Sequence, residues 1–223
     1  MPRFNYHAMI ETVMEHGRDD LFILQIGAND GQTHDPLHKM IQNNPGWSAI
    51  LVEPLPFYYE QLKARYAGRT NIRLVNSAIT DQNGPVEMHY IPHDTIQQAD
   101  LPRWATGAAS LYKDRNALGH AEYERYVETI EVKGQTLKDL IQSEGIGRID
   151  ILQTDAEGYD YHIINQLDFN RFHPLIIYSE VVNLPANEET ALRNILDREG
   201  YLHSKTGYDR LAIDPKQIYG GLG

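Results

Sequence analysis

The chain has 223 residues, 41% of them hydrophobic and 23% charged, with a formal net charge of -11 and no cysteine. That length suits one core, so a single domain over residues 1–223 is expected. The lack of cysteine excludes disulfides, thiolate nucleophiles and cysteine-held metals, and the acidic balance argues against nucleic-acid phosphates or an anionic membrane surface as partner. No apolar run reaches the length of a membrane span and the amino terminus lacks a signal-peptide core, so a cytoplasmic protein is expected.

Residues 4–16 place Phe4, Ala8, Ile10, Val13 and Met14 near helical spacing and predict a helix packed on a sheet. The run LFILQI (21–26) is too short for an ordinary helix and breaks into GANDG (27–31), the pattern of a buried strand feeding a tight loop. Asp35 and Pro36 then offer a cap and a first-turn proline for a helix carrying Leu37, Met40 and Ile41. A second buried strand, 47–53, ends on Glu53, and Pro54 and Pro56 lead into a helix over 57–66. The third strand, 71–76, ends in Asn76, Ser77 and Ala78. Repeated strand–helix units predict a parallel sheet with right-handed crossovers.

Residues 85–91 alternate like an edge strand, and 92–120 then lose any period, which marks a lid or binding loop. Trp104, Tyr112 and the small residues 107–110 make this segment the candidate acceptor pocket. A short strand follows over 130–133, then a helix capped by Thr136 with Asp139 three residues on. Strand 148–155, helix 159–166, strand 174–180 and an amphipathic helix over 188–198 continue the pattern. Residues 200–203 and 210–214 suit a closing antiparallel hairpin, and the tail YGGLG reads as a frayed end.

Four strands thus end in polar or acidic residues, at GANDG, Glu53, Asp155 and Glu180, and in a doubly wound sheet these ends meet at one edge. GANDG lacks the G-x-G-x-x-G spacing a dinucleotide requires, and Asp30 would repel a phosphate. Glu53 is placed to accept hydrogen bonds from both hydroxyls of a ribose. A nucleoside with a cationic or zwitterionic tail fits, and S-adenosylmethionine is the obvious one. Glu157 stands just before a predicted helix, where an acid favours a structural role.

GANDG, LVEPLPFYYEQLKARY, NSAI, DILQTDAEGYDYHIINQLDF and IIYSEVV, in this order over roughly residues 20–215, resemble the FkbM-type S-adenosylmethionine-dependent methyltransferases. The resemblance implies a class I, Rossmann-like α/β methyltransferase fold: a mostly parallel sheet, helices on both faces, and an antiparallel hairpin at the carboxyl end. It implies O-methylation of a hydroxyl on a sugar or secondary metabolite. Carried over by position, Gly27, Asn29 and Gly31 border the methionine part, Glu53 with Pro54 holds the ribose, and Asn76, Ser77 and Ala78 lie beside the adenine. Gln25 stands where this fold often has an acid, leaving Asp30 or Asp155 to meet the cofactor's ammonium.

Two catalytic routes suit these residues. Asp155 and Glu180, with Asn183 or Glu157, would hold Mg2+ and lower the pKa of a bound hydroxyl; alternatively His34, His93, His162 or Asp155 serves as general base. The expected partner is a small hydroxylated acceptor, and a homodimer is compatible with the chain. The rivals are a nicotinamide-dependent oxidoreductase, disfavoured by the missing glycine, and a catalytically silent nucleoside-binding scaffold.

Overall fold

Burial on both faces explains why the central strands run apolar without a polar beat. The structure is a computed structural model describing residues 5–219. It begins with α1 (Tyr6–Glu15), β1 (Phe22–Ile26), α2 (His38–Asn43), β2 (Ser48–Val52), α3 (Pro56–Arg65) and β3 (Ile72–Val75). Three strands of a second sheet follow, β4 (Ala78–Ile79), β5 (Gly84–Tyr90) and β6 (Glu128–Gln135), with helix α4 (His93–Gln98) between the last two. The chain continues through α5 (Leu137–Ser143), β7 (Ile151–Thr154), α6 (Asp160–Asn165), β8 (Ile176–Glu180) and α7 (Ala186–Arg198), and ends in β9 (Leu202–Thr206), β10 (Asp209–Ile213) and α8 (Pro215–Tyr219).

The main sheet has the order β3-β2-β1-β7-β8-β10-β9. Its first five strands pair in parallel, and β10 runs antiparallel to both β8 and β9. Alternate residues serve opposite faces: Leu24, Ile50, Leu152 and Ile177 pack against α5, α6 and α7, while Ile23, Leu51, Ile151 and Ile176 pack against α1, α2 and α3. Each such side chain contributes about 1.5–3 kcal/mol, so the sheet is fixed from both sides. This is the layered architecture expected from the sequence, with the predicted hairpin closing the sheet.

Local chemistry sets the element ends. The Asn5 side chain accepts from the Ala8 N–H at 3.2 Å and starts α1; Thr136 accepts from the Asp139 N–H at 3.1 Å and starts α5 as predicted. Helix α2 begins at His38, two residues beyond the expected proline, and Asp35 caps the turn ahead of it, accepting from the Leu37 N–H at 2.8 Å after the left-handed His34. The irregular segment after α4 has a small core of its own, with Ile91, Ile96, Ala105, Ala108 and Leu118 buried together. Phe4, expected in the first helix, lies outside the described residues, as does the tail beyond Tyr219, which itself ends α8. No helix among the described residues is long and apolar enough to cross a membrane.

Candidate active site

The loops after β1, β2, β7 and β8 converge at the carboxyl edge of the main sheet, and those after β1 and β7 touch at Gly27. Its φ is +83°, and a Cβ there would stand 1.8 Å from the Asp155 carbonyl oxygen, so only glycine lets the two loops touch. Gly31 serves packing instead: a Cβ would meet Leu62 Cδ1 of α3 at 2.6 Å and Tyr66, just past its end, at 2.9 Å. Glu53 is buried, and its two carboxylate oxygens accept from the backbone N–H groups of Asn29 at 2.9 Å and Leu55 at 2.8 Å. Each oxygen keeps a free lone pair. Burial pushes the Glu53 pKa up to about 7, despite those two donors.

A cavity of about 420 Å³ opens at this edge, within the size range of small-molecule sites. Of the predicted cofactor residues, Gln25, Gly27 and Asn29 line it on one side, Glu53 and Pro54 on another, and Ser77, Ala78 and Asp155 complete it. Asp30, Gly31 and Asn76 do not line it. Asp30 turns back on its own loop, accepting from the N–H groups of Gln32 at 2.9 Å and Thr33 at 2.6 Å, with Arg65 at 3.6 Å. Burial alone would raise its pKa, but the Thr33 and Gln32 donors outweigh it and hold the carboxyl below its ordinary value. Asn76 donates to the carbonyl oxygens of Glu53 at 2.8 Å and Pro54 at 3.0 Å and so fixes the loop that carries Glu53.

In the lining the Tyr58 hydroxyl is buried without a partner among the described residues, and the Gln25 amide and one Asp35 carboxylate oxygen, also outside ordinary hydrogen-bond geometry, lie close enough for Gln25 to favour the ionised Asp35. Unsatisfied polar groups are costly to bury. Their presence in one cavity points to a polar ligand. Near Gln25, Gln153 of β7 is held by the Tyr6 hydroxyl at 3.1 Å, so α1 braces this part of the wall.

The opposite wall is acidic. Carboxylate oxygens of Asp155, Glu157 and Glu180 lie within 4.8 Å of one another. Asn183 donates to Glu157 at 2.8 Å and to Glu180 at 3.0 Å, and Asn116 donates to Glu157 at 3.2 Å. Burial and then the Asp155 charge push the Glu180 pKa far up; burial and then Glu157 do the same to Asp155. Glu157 is raised by burial to about 7. The structural role expected for Glu157 falls to Asp160, which is fully buried at the start of α6 and accepts from the Ala156 N–H at 3.3 Å. Glu157 instead lines the cavity from a left-handed backbone, φ +49°, of the kind often stored at functional sites.

The remaining candidates separate clearly. His34 lines the cavity, whereas His93 stacks on Phe57 at 4.8 Å and His162 faces Glu188 at 3.4 Å, both off the lining. Trp104 lines the cavity, while Tyr112 packs on Tyr159 beneath Arg115. The irregular segment is fastened to both walls: the Thr106 carbonyl accepts from the Asn29 amide at 3.0 Å, and the Ser110 hydroxyl donates to the Glu157 carbonyl at 2.7 Å. Asp35, read from the sequence only as a helix cap, lines the cavity too, as do Tyr58, Tyr208 and Asp209, for which the sequence suggests no role in the site. The signal available for Asp209 was its place at the head of a strand expected to run antiparallel.

The model of the Methyltransferase FkbM domain matches residues 25–203. The chain belongs to the FkbM methyltransferase family. Its strand order, with one reversed strand near the carboxyl end, is that of the class I methyltransferase fold, and its activity class is methyl transfer from S-adenosylmethionine. A relative, the 2-O-methyltransferase NoeI of Sinorhizobium fredii (strain NBRC 101917 / NGR234), is 27% identical over 196 residues, which are 86% of this chain and 75% of that protein. Among solved structures, the N-terminal domain of human METTL16 in complex with SAH is 11% identical, with a TM-score of 0.47 over 93% of this chain. The Methanococcus jannaschii fibrillarin pre-rRNA processing protein is 14% identical, with a TM-score of 0.46 over 88% of the chain. This FkbM chain spans 66% of the length of each of those two structures.

Proposed function

We propose that this FkbM protein O-methylates a hydroxyl of a small sugar or secondary metabolite at the acidic end of the cavity. The carrying observation is the pairing of two walls: Glu53 with free lone pairs over a 420 Å³ cavity, and the Asp155, Glu157 and Glu180 carboxylates across from it. The name of the 2-O-methyltransferase relative supports the choice of oxygen. In this reading Glu53 accepts from the ribose hydroxyls, Ser77 and Ala78 flank the adenine, and Asp155 meets the ammonium in place of Asp30. The acceptor oxygen attacks the methyl carbon as the carbon–sulfur bond breaks. Glu157, whose pKa near 7 lets it exchange a proton at neutral pH, takes the hydroxyl proton as the neutral thioether departs.

A second reading rests on the clustering of the three carboxylates. Hard oxygen donors this close suit a divalent cation such as Mg2+, and their mutual repulsion is what such a charge would relieve. Asp155 and Glu180 would hold it, with Glu157 beside them. When bound, the ion would supply a lowered pKa at the acceptor hydroxyl.

Calorimetric titration with S-adenosylmethionine and S-adenosylhomocysteine, with an NAD control, tests the cofactor wall. Saturable nucleoside binding and none of NAD is expected; binding of neither nucleoside would leave a silent scaffold. Radiolabelled methyl transfer to hydroxylated acceptors with and without EDTA tests the acid wall. If Asp155→Asn and Glu180→Gln leave Mg2+ affinity unchanged, the cation reading fails and the base reading stands.

A further inference from the structure

The cavity volume suits one molecule of cofactor size, so a second substrate must reach the methyl group from the mouth. The mouth is shaped by the β9–β10 hairpin. Because β10 runs antiparallel to β8, Asp209 lies directly opposite Glu180, and the residue before it, Tyr208, is delivered to the same rim as the three clustered carboxylates. Tyr208 lines the cavity yet is 72% exposed, more than any other large hydrophobic side chain of the described residues. Its backbone is nevertheless anchored. The Tyr208 carbonyl accepts from the Val181 N–H at 2.9 Å, and Asp209 accepts from the Tyr178 hydroxyl at 2.6 Å. An aromatic side chain on an anchored backbone, left open to solvent at a cavity mouth, is a surface suited to a partner with an apolar face.

The charge of the lining narrows that partner. Six carboxylates line the cavity, Asp35, Glu53, Asp155, Glu157, Glu180 and Asp209, and among the described residues no Lys or Arg does. A concave surface of one sign focuses its field and repels ligands of that sign, so phosphates, carboxylates and nucleic-acid strands are disfavoured. Carboxylates accept strong hydrogen bonds from hydroxyl groups. The buried hydroxyl of Tyr58, on a side chain 6% exposed and without a partner among the described residues, adds an independent sign that the lining awaits a polar ligand.

Resting on the methyltransferase reading above, we propose that Tyr208 is the platform on which the acceptor stacks, and that this acceptor is an uncharged pyranoside. Its apolar ring face lies on the tyrosine while its hydroxyls donate into the acidic wall. Tyr208 thereby becomes a specificity-determining residue that the cofactor does not need.

The test is saturation-transfer NMR on the full chain, with and without S-adenosylhomocysteine. The probes are the methyl glycosides of glucose, galactose and rhamnose, set against methyl glucuronide and glucose 6-phosphate. Ring-proton signals from at least one neutral glycoside are expected, with the anionic probes about tenfold weaker or silent. Tyr208→Ala should weaken glycoside binding about tenfold, with Tyr208→Phe and Tyr208→Trp retaining it, and the Kd for S-adenosylhomocysteine staying within about twofold throughout. The proposal is overturned if no neutral glycoside binds, if the anionic probes bind equally well, or if Tyr208→Ala leaves the signal intact. Loss of the cofactor reading shows separately, as absent S-adenosylhomocysteine binding in the wild-type samples.

Discussion

The two halves of the carboxyl edge follow opposite electrostatic plans. On the β1–β2 side two acids are matched by the chain itself: Glu53 by the N–H groups of Asn29 and Leu55, Asp30 by Gln32, Thr33 and Arg65. On the β7–β8–β10 side Asp155, Glu157 and Glu180 crowd one another, helped by the amides of Asn116 and Asn183, with Asp209 opposite Glu180. The first half is organised before a ligand arrives, which is how a recognition site avoids reorganisation on binding. The second half stores repulsion that a positive sulfonium, a cation or donating hydroxyls would relieve. Preorganisation and stored repulsion thus sit side by side, and Gly27 is the hinge point at which the two loops touch.

Breaking that point should have the largest effect. Gly27→Ala would set a Cβ against the Asp155 carbonyl at a left-handed φ, and a loss on the order of 3–5 kcal/mol is expected in urea denaturation. A loss below about 0.5 kcal/mol would mean that the halves do not meet as described.

Next come substitutions that should separate the halves functionally. Glu53→Ala should weaken S-adenosylhomocysteine binding at least about tenfold, roughly 1.4 kcal/mol. Glu157→Gln should leave that affinity within about threefold while lowering kcat on the order of a hundredfold. Equal effects of the two variants on both quantities would erase the division of labour.

A smaller effect, opposite in sign, follows for stability. Glu180, held protonated in the folded chain by burial and the Asp155 charge, ionises on unfolding at pH 8, so Glu180→Gln should stabilise the ligand-free protein there by about 1–2 kcal/mol, a few degrees of Tm. A Tm lower than wild type at that pH would show that the acids are not in conflict.

The gentlest test is pH. Glu53 and Glu157 have an ordinary value of 4.5, and burial raises each to about 7. The folded chain therefore binds more protons than the unfolded chain across that interval. Stability is highest below pH 4.5 as far as these groups are concerned and is lost as pH rises through 7. Scanning calorimetry of the ligand-free protein should show Tm falling over this window, and S-adenosylmethionine affinity should rise with pH more steeply than that of its uncharged-sulfur product. A flat profile for both would count against the buried acids as described.

Much of this was legible in the sequence because it is local. Apolar runs specify strands buried on two faces, and residues such as Glu53, Asp155 and Glu180 sit at strand ends whatever the neighbours are. Tertiary structure alone decided what those ends face. The sequence placed Asp30 in the site, but adjacent N–H groups captured its carboxylate; it made Glu157 a helix acid, but Asp160 took that role and freed Glu157 for the cavity. Tyr208 and Asp209 reach the site only because β10 inserts, reversed, beside β8. Strand order and direction are fixed by pairing between segments distant in the chain, and no periodicity within either segment carries that information.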